Sequence, residues 1–267
     1  MKILKRIYIL LLSAVLICGG SGCELNNSEI VKEEQTAHDE WLRWRKEFLA
    51  EQELPTEYSE LSSRQQTAVK RIYEMLMYLE DKYGITFQYT GYVEPQILEI
   101  EHLTAIPEGG SEKTDTVTVT CEDDGTFADD YPNVVVRPYY EQMITDYVKD
   151  YFGSDKIRVI TSISTSISDF DNISNDKMKG NVYGVNLIFI SYDICSEQKF
   201  DMFVKEYGEW CKKNEYWGKG DVILLNENHS VDDIDATKEN YDDFLGKRQY
   251  KRRLHCSVKK GQEISVY

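Results

Sequence analysis

The sequence predicts an α+β fold, an antiparallel sheet with amphipathic helices packed on one of its faces. Three observations carry the prediction. Long stretches repeat apolar residues every three to four positions, as a helix with one buried stripe does. Other stretches alternate apolar and polar residues, the period of a half-buried strand. The strands also come in runs, without the strict strand–helix alternation of a doubly wound parallel sheet.

The first helix is expected over 37–53, where Ala37, Trp41, Trp44 and Phe48 fall on one face and Leu54-Pro55 ends it. A second is expected over 62–83. Ser62 and Gln65 have capping-box spacing, Val69, Ile72, Leu76 and Leu79 form the stripe, and Gly84 supplies the stop. Strands are expected at Thr86–Val93, Leu98–Ala105 and Thr116–Cys121. The loop 107–115 between them makes a subdomain joint near 106–115. Asp124-Gly125 marks an acidic turn within 122–130. Pro138 is read as opening a third helix that ends at Gly153, followed by a strand over 156–163 and a mobile polar loop over 164–181. Val182–Tyr192 reads as an apolar strand. Ser196 begins the clearest helix, with Phe200, Phe203, Val204, Tyr207, Trp210 and Cys211 on one stripe. Asp221–Leu225, Tyr250–Val258 and Glu263–Tyr267 complete the strands, the last two as a hairpin about Lys260-Gly261. From residue 116 on, the order matches the βαββαβ of a ferredoxin-like sandwich. The stretches 75–90 and 143–159 echo each other as helix, glycine, strand.

Lys and Arg number 31 against 47 Asp and Glu, a net charge of −16. That balance argues against nucleic acid as a partner, since binding it needs a basic footprint. It is compatible with a protein partner with a basic surface, with a metal cation, or simply with a solvated acidic surface.

The chain begins MKILKRIYILLLSAVLICGGSGC. Lys2, Lys5 and Arg6 precede an eleven-residue apolar run, Ile7–Ile17, which has the length of a signal-peptide core and is too short to span a bilayer. Small residues follow, ending Ser21-Gly22-Cys23. This stretch resembles the lipobox of bacterial lipoproteins, departing from it at Gly20, where that family usually carries Leu. The resemblance implies cleavage before Cys23, a diacylglycerol on its thiol, and a location on the cell membrane facing outside the cytoplasm. Residues 1–22 are then a signal, 23–36 a lipidated tether and 37–267 the body. The signal carries three basic residues and no acid, so the mature chain stands at −19.

Cys121, Cys195, Cys211 and Cys256 remain in a compartment that permits disulfides. Cys195 and Cys211 bracket a helix of about 24 Å, too long for a bridge between them; the other pairings stay open. No zinc-ribbon, His-Glu-x-x-His, nucleophile-elbow or phosphate-loop spacing occurs, so no residue is assigned to catalysis, a cofactor or a metal. Three acidic clusters draw attention: Glu122, Asp123, Asp124, Asp129 and Asp130; Asp169, Asp171, Asn172, Asn175 and Asp176; and Asp232, Asp233, Asp235, Asp242 and Asp243. None has calcium-loop spacing. His255 and Cys256, neighbours in a strand, point to opposite faces. Core packing is the better account of most aromatic residues. Trp217, expected in a loop, is a candidate contact residue, and the Trp41, Trp44, Phe48 face is another candidate, placed to dock a partner helix instead of its own core. The leading expectation is a non-catalytic binding or interaction lipoprotein, with toxin neutralisation as one variant. The alternative is an envelope hydrolase using Asp129, Asp130, Asp169 or Asp171.

Overall fold

The computed structural model describes residues 27–234 and 245–267. Cys23 and the signal lie outside these residues, as do Asp235, Asp242 and Asp243. Among the described residues no helix is long and apolar enough to cross a membrane. The α+β class is as expected: one sheet of four strands, one of five, and helices on them. The chain divides into two compact units, one of residues up to Glu108 with Val119–Ala128, the other of Gly109–Thr118 with Asp129–Tyr267.

In the first unit, α1 (Asn27–Glu51) starts ten residues before the expected position and takes in most of the segment read as a tether. Glu, Lys and Gln make up half of residues 27–36, and these residues favour helix without any apolar period to announce it. The helix α2 (Ser63–Tyr83) opens on the predicted capping box: Gln65 N–H donates to Ser62 Oγ, and Ser62 N–H to Gln65 Oε1. Trp44 and Trp41 both pack on Tyr73 of α2, and Phe48 meets Tyr89 edge-on at 5.2 Å. The aromatic stripe of α1 therefore fills its own core and is not a free docking face.

Strands β1 (Phe87–Val93) and β2 (His102–Pro107) pair antiparallel, with Val93 opposite His102. β2 starts four residues later than predicted. The intervening segment is a hairpin loop in which Gln96 and Glu99 exchange backbone hydrogen bonds around Ile97-Leu98. Ile97 is 102% and Leu98 95% exposed, so neither enters the sheet. Beneath the loop, Glu101 is buried; the Arg71 guanidinium donates to both its oxygens at 2.8 and 2.6 Å, and Tyr92 OH donates at 2.6 Å. The Arg71 hydrogen bonds, with that of Tyr92, hold the Glu101 carboxyl below its usual range against the opposing effect of burial. β3 (Val117–Cys121) and the short β4 (Phe127–Asp129) complete the order β1-β2-β3-β4 around the expected Asp124-Gly125 turn.

In the second unit, α3 (Tyr131–Phe152) begins seven residues before Pro138, which lies inside it. Pro132 is the proline in the first turn, where a missing N–H costs nothing. Pro138 forgoes one interior bond, and the β-branched run Val134–Val136 hid the helix from a reading by propensity. Gly84 and Gly153 end α2 and α3 alike, in left-handed backbone with φ of 71° and 64°.

The second sheet runs β5 (Ile157–Thr165), β6 (Val182–Ile190), β7 (Trp217–Leu225), β8 (Tyr250–Val258) and β9 (Ser265–Val266), in sequence order across the sheet. Only β6 and β7 are parallel, joined by α5 (Glu197–Lys213) as a crossover. The ferredoxin-like order is not formed, because strand 117–121 belongs to the other sheet. The loop 164–181 carries a short helix, α4 (Asn175–Met178), and buries Ile167 and Met178. Trp217 is half-buried as the first residue of β7, paired with Tyr183 and packed on the core; the expected exposed loop position is not what forms.

Helices α3 and α5 cover one face of this sheet. Their contact is aromatic: Tyr147 stacks on Trp210 with ring centroids 4.1 Å apart. At its centre is Asn186 of β6, buried among apolar residues. It accepts from Thr161 Oγ1 at 3.0 Å and donates to Tyr207 OH at 2.9 Å and to Tyr140 OH at 3.5 Å, so its buried amide is partnered on both sides. A Cβ on Gly184 would lie 2.5 Å from Tyr140 OH, and one on Gly220 2.7 Å from the Tyr207 ring. These glycines make room for the two tyrosines. At the edge, side chains of α3 reach β5: Glu141 accepts from Thr161 N–H and Asn133 from Thr165 N–H, both at 2.9 Å. All four described cysteines are free thiols; burial pushes Cys195 and Cys256 up to about 11, and Cys211 higher.

Candidate binding face

Successive side chains of a strand alternate between faces, so half the residues of β5–β8 point away from α3 and α5. The register sets Ile160, Leu187, Asp221 and His255 in one row, and Ser162, Val185, Lys219 and Ser257 in the next. One end of this helix-free face is closed, where Phe189, Ile223 and Leu225 pack with Val231 and Ile234 from the segment after β7. The other end is open: Val185 is 40% exposed and Tyr183 is exposed beside it. Val185 and Leu187 are shared by two recesses. One, of about 350 Å³, extends to Asp130, Asn133 and Arg137; the other, of about 190 Å³, extends to Lys219, Asp221, His255 and Tyr267. Together they make a groove with an aliphatic floor and charged ends.

Asp221 fixes the charge at one end. It is only 9% exposed. Arg253 on the neighbouring strand donates from Nε to both carboxylate oxygens at 2.9 Å, and its Nη2 donates as well. The hydrogen bond to Asp221 raises the Arg253 guanidinium further. His255 Nδ1 lies 3.4 Å from Asp221 Oδ1, and its ring stacks on Tyr267 at 5.4 Å. Such a forked pair is rigid and directional. At the other end, Arg137 pairs with Asp115 at 2.7 Å. Burial works against the Asp115 carboxylate, yet the Ser111 N–H and the Arg137 guanidinium together lower it. Asp130 accepts the Thr118 N–H at 2.6 Å, and burial raises its carboxyl. Cys256 is on the opposite face, in the helix-side core, so His255 has no thiol beside it, as the strand geometry predicted.

The remaining acidic residues are held by their neighbours. Asp124 accepts from both N–H and Oγ1 of Thr126, the ordinary chemistry of its turn. Asp129 accepts the Tyr131 N–H at the start of α3. Asp169 accepts from Lys177 Nζ at 2.8 Å and from the Asp171 N–H. Phe170 meets Tyr131 edge-on at 6.2 Å, while Asp129 and Asp169 stay engaged by their local partners. Asp176 pairs with Lys179. Asp232 and Asp233 are engaged with the Ser230 cap, and Asp232 borders a cleft of about 610 Å³ with Lys156, Asp193 and His229. That cleft is wide and its Lys156–Asp193 pair is more than half exposed. Among the described residues no three His, Cys, Asp or Glu could hold a metal ion.

Sequence reasoning passed over Asp221, Arg253 and Val185. A signal was present: Asp221 opens the buried run Val222–Leu225, and a carboxylate there needs a partner, which Lys251-Arg252-Arg253 in the next strand offers. Val185 gave none, because exposure of a strand residue depends on which face the helices take.

No family model matches the chain, and no curated protein matches it. Among solved structures, it is similar to a DUF5037 family protein from Ruminococcus gnavus, with 11% identity and a TM-score of 0.38, over 70% of this chain and 92% of that one. A similarity of that degree carries no argument about fold or function.

Proposed function

We propose that the chain is a membrane-anchored extracytoplasmic lipoprotein whose body is a non-catalytic binding protein. The observation that carries the binding reading is the groove bordered at one end by the start of α3, an aliphatic floor at Val185 and Leu187 between fixed charges at Asp221–Arg253 and Asp115–Arg137. An exposed apolar strip between oriented charges suits a protein partner. The anchor reading rests on the residues before Cys23. A toxin-neutralising role is one form of it, in which the acidic body covers a basic surface.

The test is capture from the parent cell's envelope and secreted fractions on the body from Glu24 onward, followed by titration of the purified partner. A stoichiometric partner lost in high salt and by Val185→Asp supports the reading. A partner indifferent to Val185→Asp removes the groove from it. For the anchor, Cys23→Ala should move the full-length chain from membrane to soluble fraction; retention in the membrane would end that half.

The hydrolase reading retains one supporting observation, the raised carboxyl of Asp130 at the groove's end. Turnover of an envelope polymer that Asp130→Asn abolishes, with folding intact, would replace the binding reading.

A further inference from the structure

We infer that the β1–β2 hairpin tip is a plug that inserts into an apolar pocket of a protein partner, and that basic side chains rim that pocket. The inference rests on the anchored-binding reading and names a contact surface for it outside the groove. Turn positions normally carry Gly, Asn, Asp or Pro. Here the two residues between Gln96 and Glu99 are Ile97 and Leu98, with Ile100 beside them 69% exposed. Three aliphatic side chains are thus left in water at one point, an arrangement that local turn chemistry does not favour and that binding would relieve.

The tip is also built to hold its shape. Gln96 N–H donates to Glu99 O at 2.9 Å and Glu99 N–H to Gln96 O at 3.4 Å, closing the turn. Glu94 is tied to Arg64 of α2 at 2.5 Å, and Glu101, on the other side of the tip, is fastened by Arg71 and Tyr92. Little ordering is left to be done on binding.

Position and charge choose the occupant. Helices α1 and α2 run antiparallel, since Glu40 and Trp44 of α1 border Glu80 and Met77 of α2. The N-terminus of α1 lies about 20 Å of helix beyond Glu40, past the C-terminal end of α2. Arg64 places the tip at the other end of α2. Cys23 precedes the start of α1 by four residues in sequence, so on the anchor reading the lipid would attach on the α1 side, while the tip stands at the opposite end of α2. Glu99 in the turn, with the chain's net charge of −16, disfavours anionic lipid and a second acidic copy of this chain; Glu94 is already paired with Arg64. That charge suits a partner whose pocket carries Lys or Arg at its mouth.

The test uses the full-length chain in its own cells, with a photo-crosslinking residue at Ile97 and, as control, at exposed Gln262. The expected result is one protein adduct at Ile97, absent at Gln262 and reduced by Leu98→Asp, mapping to an apolar pocket flanked by basic residues. With that protein purified, Ile97→Ser with Leu98→Ser should weaken binding at least about 30-fold and leave thermal melting unchanged. Adducts on phospholipid, adducts on a second copy of the chain, an adduct outside such a pocket, or no adduct above the Gln262 level would each overturn it. Loss of membrane attachment alone is read from Cys23→Ala, so the anchor and the plug fail separately.

Discussion

The two faces of the five-stranded sheet are formed by alternate residues of the same strands, yet they are put to opposite uses. On the helix side Asn186, Gly184 and Gly220 interlock with Tyr140 and Tyr207, and no space remains. On the other side their neighbours Val185 and Lys219 are exposed, and Asp221 is buried only by its pairing with Arg253. The difference teaches how a period of two separates stability from recognition: a substitution on one face should be felt in folding, and one residue away, in binding.

The largest effect expected from breaking that division is at Gly220. A Cβ there meets the Tyr207 ring at 2.7 Å, so Gly220→Val should cost about 3 kcal/mol, the upper end for overpacking, read by denaturant unfolding. Tyr207→Phe keeps the ring and removes the acceptor of the Asn186 amide, and should cost about 1–2 kcal/mol. At the edge between the faces, burial raises the Glu141 carboxyl. The folded state then takes up that proton before the unfolded state does, so the charge costs stability at neutral pH. That cost is relieved as pH falls through the raised folded value towards the unfolded one. Glu141→Gln keeps an acceptor for Thr161, so stability at pH 7 should hold or rise by under about 1 kcal/mol, and the relief on acidification should vanish. The smallest change in stability, within about 0.5 kcal/mol, is expected for Val185→Asp. A large loss there would mean that this face is closed in solution and that the division is wrong.

Much of the architecture could be read from periodicity because amphipathic elements announce their buried face. The Ser62 cap, the α5 stripe, the Asp124-Gly125 turn and the β8–β9 hairpin formed as read. The failures share a cause, which is that context outside the local pattern decided them. Helix α1 begins in residues with helix propensity but no apolar period. Helix α3 passes through Pro138 because its packing outweighs one lost bond. Ile97–Ile100 looked like strand because an aliphatic run is read as buried. The candidate face was hidden for a related reason. Val185 and Val182 are alike in sequence, and only the placement of α3 and α5 leaves the first outside and the second inside. Asp221 alone carried a warning, being a charge within a buried run.

The caps that α3 places on β5 have a consequence for crowding. An edge strand presents unpaired N–H groups as a template on which another chain can add a strand, the first step of edge-to-edge aggregation. Glu141 and Asn133 occupy two such groups, at Thr161 and Thr165. At the opposite edge β9 is only two residues long. Two donors at the β5 border are thus withdrawn from any second chain that would add a strand there.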